Sequence, residues 1–167
     1  MVEDSLYTVD IPSASAQTQC LFYVEASDTI DVSGIYPADA RTDPYGYSVG
    51  LTDISFIQQV DFGDDSSYVA GEVKNITGVV TAGRGTYRDN MFIVQQGAGA
   101  WSGIHVYDPS YAVPAARGDS VILSGRVQEY YNLTELYLFT DCYTEVSSGN
   151  PVYETLVPTS EITSSSI

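Results

Sequence analysis

Five short runs in which apolar and polar residues alternate, each closed off by turn-forming residues, constrain this chain more than any other feature. They are residues 72–81 (EVKNITGVVT), 91–95 (MFIVQ), 103–107 (GIHVY), 120–130 (SVILSGRVQEY) and 133–139 (LTELYLF). In the fourth run Val121, Leu123, Gly125 and Val127 share one face, while Ser124, Arg126 and Gln128 share the other. Successive side chains of a strand point to opposite sides, so this alternation marks strands with one buried face. Breakers stand between the runs: Gly83-Arg84-Gly85, Gly97-Ala98-Gly99, Asp108-Pro109, Arg117-Gly118-Asp119 and Tyr131-Asn132. Five short strands with a longer third-to-fourth connection at 108–118 predict a small, highly curved barrel. Gly78, inside the first run, predicts a bulge that lets one long strand serve two parts of that barrel.

The succession GVVTA, MFIVQ, WSGIHVYDP and RGDSVILSGRVQEYYNLTEL resembles the oligonucleotide/oligosaccharide-binding (OB) domains of secreted bacterial proteins. The resemblance covers residues 51–158. It implies an OB-type barrel, an extracellular or cell-surface setting, and the company of secreted nucleases or of surface and filament modules. It transfers no activity, because OB barrels carry many unrelated functions.

Ahead of the barrel, residues 1–50 read as three strands: 5–11 (SLYTVDI), 19–27 (QCLFYVEAS) and 46–49 (GYSV). The order YTVDIP, LFYVEASD, YPADA, YGYSVG resembles the closing strands of immunoglobulin-like (Ig-like) or fibronectin-like modules. Half of such a sandwich cannot leave its apolar face in water, so it must pack on the barrel, on a neighbouring chain or on a missing half. The expected class is therefore all-β: a partial Ig-like segment over 1–50, an OB-type barrel over 51–158 and a Ser/Thr-rich tail over 159–167. The stretch LTDISFIQQV at 51–60 fits an opening strand or a short helix equally well. A last apolar run, VYETLV at 152–157, follows the barrel. The first ten residues carry neither a basic nor an apolar stretch and do not read as a signal peptide. Either the numbering starts after processing, or this is a piece of a longer secreted chain. No apolar run approaches the roughly 20 residues of a membrane span.

Charge separates the barrel from its flanks. The chain carries −16 overall, yet residues 71–140 hold six acids against five bases. Residues 1–70 hold twelve acids against Arg41 alone, and 141–167 hold four acids and no base. Such flanks repel nucleic acid, whose affinity comes largely from neutralised phosphates. The two cysteines, Cys20 and Cys142, are spaced too far apart for a CxxC motif. An extracellular setting favours a disulfide between them, with two buried thiols as the alternative.

Catalytic chemistry finds little footing. The lone histidine, His105, sits mid-strand, and no GxSxG-type nucleophile motif accompanies it. Oxygen-rich turns are more suggestive: Asp28 with Asp31, Asp39 to Asp43, and Asp61 with Asp64 and Asp65. Calcium takes six to eight oxygen ligands from flexible loops, so these turns are candidate Ca2+ sites, although none has EF-hand spacing. The leading expectation is a non-enzymatic extracellular module, steadied by calcium, that assembles with copies of itself or with neighbouring domains, as in a filament. The alternative is a ligand-binding accessory domain of a secreted nuclease or hydrolase. It would take nucleic acid or glycan on Arg84, Arg88, Trp101, Tyr107, Arg126 and Tyr131, where aromatic platforms and guanidinium groups occur together.

Overall fold

The computed structural model describes residues 8–16, 18–30, 32–40, 42, 44–60 and 65–159. Two parts are seen. The first contains four short strands: β1 (Gln19–Phe22), β2 (Val24–Ser27), β3 (Ser33–Tyr36) and β4 (Tyr45–Ser48). β1 pairs antiparallel with β4, and β2 with β3, giving two separate two-stranded ribbons. The expected second strand is thus broken at Tyr23, and β3 emerges from a stretch read as turns. Residues 8–11 form no strand, and 5–7 lie outside the described residues. Asn75 ties the β1–β4 ribbon to the rest: its Nδ2 donates to the carbonyls of Ser48 (2.6 Å) and Gly50 (3.0 Å).

The second part begins with α1 (Ile54–Ile57) and continues through β5 (Val73–Ala82), β6 (Met91–Gln95), β7 (Gly103–Tyr107), β8 (Ser120–Tyr130) and β9 (Leu133–Ser147). The five strands close into a barrel in the order β5-β6-β7-β9-β8. Every pairing is antiparallel except β7 with β9, which is parallel. Inward-facing Ile76, Val80, Phe92, Val94, Ile104, Val106, Val121, Leu123, Val127, Leu136 and Leu138 fill the interior. Burying each of these side chains contributes about 1.5–3 kcal/mol. The ambiguous opening segment is the short helix, whose fully buried Ile54 and Ile57 join the same core. The backbone N–H of Ile54 donates to Oε1 of Gln96, and Gln58 Nε2 donates to the carbonyl of Gly103 (2.6 Å), which fixes α1 beside the β6–β7 turn.

Closing five strands requires sharp curvature, and two glycines permit it. The β5 bulge lies at Val80/Ala82 rather than at Gly78. Gly78 is instead a point of close approach: a Cβ there would lie 2.6 Å from the Gln95 carbonyl oxygen and 2.7 Å from Val94 Cγ1. Gly125 sits at the β8–β9 bulge, where a Cβ would run into the Tyr137 carbonyl oxygen. β9 continues well past the expected end at Phe139, because its far half still pairs with β8 as far as Ser120↔Ser147. The run at 152–157 forms no strand.

The two cysteines are free, so the expected disulfide is not formed. Cys20 lies opposite Tyr47 in the β1–β4 ribbon, whereas Cys142 belongs to β9, which pairs only with β7 and β8 among the described strands. Among the described strands, the two that carry them are not paired with each other. Among the described residues no helix is long and apolar enough to cross a membrane.

Candidate functional site

The outward-facing residues of four consecutive barrel strands make one continuous surface. Because Ile104, Val106, Leu136 and Leu138 point inward, the alternate residues His105, Tyr107, Glu135 and Tyr137 point out. Strand register sets them in two rows. One runs Met91–Tyr107–Tyr137 across β6, β7 and β9. The other runs Ile93–His105–Glu135–Gln128 across β6, β7, β9 and β8. The Tyr107 and Tyr137 rings lie 5.5 Å apart at 45°.

Loops raise walls around this surface. The β5–β6 connection contributes Tyr87, Arg88, Asp89 and Asn90, and the β7–β8 connection contributes Tyr111. With Tyr130 at the end of β8, they enclose a cleft of about 870 Å³ whose lining includes five tyrosines. That volume is in the upper part of the range typical of small-molecule sites.

Asp108 organises both walls. This carboxylate is almost fully buried; its Oδ1 accepts from the backbone N–H (2.9 Å) and hydroxyl (2.5 Å) of Ser110, and its Oδ2 from the N–H of Val113 (2.9 Å). Burial alone would raise its pKa, but hydrogen bonds from Ser110, Val113 and Ala112 outweigh that and hold it below the ordinary value. The Asp108 carbonyl accepts from the N–H of Tyr111, which adopts φ 57°, and the Asp108 N–H donates to the Asn90 carbonyl at 2.8 Å. The carboxylate thus holds Ser110 and Val113 on either side of Tyr111, while the backbone of the same residue pairs with Tyr111 and with Asn90 of the opposite loop.

Among the described residues, the polar row carries two buried atoms without hydrogen-bond partners. Glu135 is 2% exposed; Oε1 accepts from Gln128 Nε2 at 2.6 Å, while Oε2 has no hydrogen-bond partner. His105, its neighbour across the parallel pairing, is half-buried, and its Nδ1 is also unpartnered. Burial pushes the His105 pKa down and the Glu135 charge pulls it back only in part, so the imidazole is neutral at pH 7.

The residues expected to bind a ligand divide between this cleft and other places. Arg88 and Tyr107 line it. Arg88 lies over the Tyr87 ring, 5.4 Å from its centroid. Tyr131 is 89% exposed at the cleft rim, its ring edge-on to Tyr130 at 4.6 Å. Arg84 is structural: its guanidinium donates to the Val113 carbonyl and its N–H to that of Ala115, clamping one loop to the other. Trp101 stands exposed in the β6–β7 turn beside α1, at the ends of β6 and β7 remote from Met91 and Tyr107. Arg126 is the β8 register partner of Tyr137, next to the tyrosine row, and lines smaller hollows with Leu21, Gly46 and Tyr45 towards the β1–β4 ribbon.

No protein-family model, curated protein or solved structure matches this chain. Function must be argued from the site.

Of the acids expected to bind metal, Asp31, Asp61 and Asp64 lie outside the described residues. Asp28 Oδ1 is occupied by the N–H groups of Ile30 and Val32, each at 2.9 Å, which closes the β2–β3 turn. Asp65 is exposed. Among the described residues no three His, Cys, Asp or Glu side chains converge on a point where an ion could sit. Sequence reasoning missed Gln128, Glu135 and Tyr111 as site residues. The first two were within reach, since a two-residue turn at Tyr131-Asn132 places 128 opposite 135.

Proposed function

We propose that this chain is a non-catalytic, extracellular glycan-binding module of OB type, with the tyrosine cleft as its binding site. One observation carries the reading: Tyr107 and Tyr137 form an aromatic row beside a row of hydrogen-bonding side chains, Glu135 and Gln128, on a rigid sheet face. Sugar rings have flat C–H faces that stack on aromatic rings, and hydroxyls that pair with carboxylates and amides. Nucleic acid fits less well. Its phosphates would meet Asp89 and Glu135 with Arg88 as the lining cation, inside a chain of net charge −16. The OB-type assignment draws support from the closed five-strand order with one parallel pair.

The test is calorimetric titration with a panel of neutral and charged oligosaccharides. Tyr107→Ala should weaken the best binder roughly tenfold, in line with about 1–1.5 kcal/mol for one aromatic contact, and Trp101→Ala should leave it unchanged. Loss on Trp101→Ala alone would move the site to the β6–β7 turn.

A second reading, self-assembly through the N-terminal segment with calcium between acidic faces, draws support from the apolar exposure of the ribbons. Leu21, Val24 and Tyr36 are 60%, 55% and 66% exposed. Scattering in calcium and then in excess EDTA tests it; a monomer in both conditions removes it.

A further inference from the structure

Among the described residues, one carboxylate oxygen of Glu135, a residue of the cleft lining, has no hydrogen-bond partner. Glu135 is buried, its Oε1 is taken by Gln128, and its Oε2 is without a partner. An ionised carboxylate withdrawn from water is costly unless its oxygens are paired, and a strong donor restores what burial takes away. Arg88, the cation of the cleft, is held over Tyr87 instead. Formal charge in the lining is one positive group, Arg88, against two negative ones, Asp89 and Glu135. The neighbouring His105, neutral and with Nδ1 unpartnered, brings no compensating charge.

We infer that the cleft selects a saccharide bearing a free amine, a 2-amino-2-deoxy sugar whose ammonium group seats on Oε2 of Glu135. This rests on the glycan reading above and adds the charge of the ligand. A carboxylate only accepts hydrogen bonds, and an ammonium only donates them, so the pair is complementary in both charge and donor sense. Tyr107 and Tyr137 supply ring faces that favour a cation as well as a sugar ring. Acetylating the amine would replace the ammonium by an amide and bring a carbonyl oxygen and a methyl group against Glu135. A neutral sugar hydroxyl can donate to Oε2 but leaves its charge uncompensated. The cleft volume, about 870 Å³, is far more than one lysine side chain would fill, which favours a chain of sugar rings over a basic peptide.

The experiment compares three oligosaccharides of equal length by calorimetry in mildly acidic buffer: a fully deacetylated glucosamine oligomer, its N-acetylated counterpart and a glucose oligomer. A charge-assisted hydrogen bond predicts that the deacetylated oligomer binds roughly 10- to 100-fold more tightly than either of the others. Glu135→Gln should abolish that preference, and Tyr107→Ala should weaken whichever oligomers bind. On the unmodified protein, raising the salt should weaken the amine-bearing oligomer alone, a readout that does not depend on any variant folding. Equal or tighter binding of the acetylated or glucose oligomer overturns the inference and leaves the glycan reading intact. A lysine-rich peptide that binds as tightly as the amine-bearing oligomer also overturns it. Binding of none of the three sugars removes both readings together.

Discussion

Gln128 and Glu135 face each other across the β8–β9 hairpin, and the amide donates from Nε2 to Oε1 of the carboxylate at 2.6 Å. The bond holds the glutamate in one orientation on the outer face of a sheet whose other face is solid core. On the proposed reading, a ligand entering the cleft would meet a carboxylate already oriented, so little side-chain freedom would be lost on binding.

Asp108 should prove the most important polar residue for the shape of the cleft. Asp108→Ala removes a buried acceptor of three hydrogen bonds and should cost about 2–4 kcal/mol of stability. Urea melts across acid pH check the sign. The folded pKa is depressed below its ordinary value of 3.8. The contribution is therefore present above that value and lost as pH falls through the folded pKa. Asp108→Ala should erase this part of the acid dependence and weaken saccharide binding, because Ser110 and Val113, which flank Tyr111, lose the carboxylate that holds them.

Tyr131 and Asn132 both have positive φ, 49° and 62°, at the centre of the β8–β9 hairpin. Turns of this hand suit Asn and Gly, and a tyrosine there is strained. Tyr131→Gly should raise stability by about 1 kcal/mol, read as an upward shift in Tm. It should also reduce saccharide affinity, since the ring that packs on Tyr130 at the rim is lost. A gain in stability with unchanged affinity would take Tyr131 out of the site.

Tyr143 packs against the core, and its hydroxyl has no hydrogen-bond partner among the described residues. Burial, with the nearby charges of Asp119 and Glu145, pushes its pKa up to about 12. A folded pKa above the ordinary 10.0 gives stability that is full below pH 10 and declines as pH rises towards 12. Absorbance titration of tyrosinate should show a late phase that Tyr143→Phe removes; a late phase that survives the substitution belongs to another tyrosine.

Legibility in the sequence followed physical locality. β6, β7 and β8 end where the alternation ends, because one face of each is sealed in the core and a slip by one residue would expose it. The far half of β9 was not legible: beyond Asp141, at φ 60°, its residues are exposed or half-buried, so no buried face imprints a period on them. The break at Tyr23 and the emergence of β3 are equally silent, since both ribbons are largely exposed. Gly78 was singled out for a bulge, yet its reason is the Gln95 carbonyl passing above it, a neighbour 17 residues away. Glu135 read as one acid among 22; only the barrel, which buries it beside Tyr107 and Tyr137, distinguishes it from the others.

The central claim, that the tyrosine cleft is where this protein binds saccharide, is tested most directly by mapping the bound sugar on the folded chain. Amide and methyl chemical shifts recorded during titration with the amine-bearing oligomer should move in one cluster: Met91, Tyr107, Tyr111, Gln128, Glu135 and Tyr137. Residues around Trp101, and those of the β1–β4 ribbon, should stay in place. Saturable shifts centred on Trp101 or on the ribbon, with the cleft unmoved, would contradict the account.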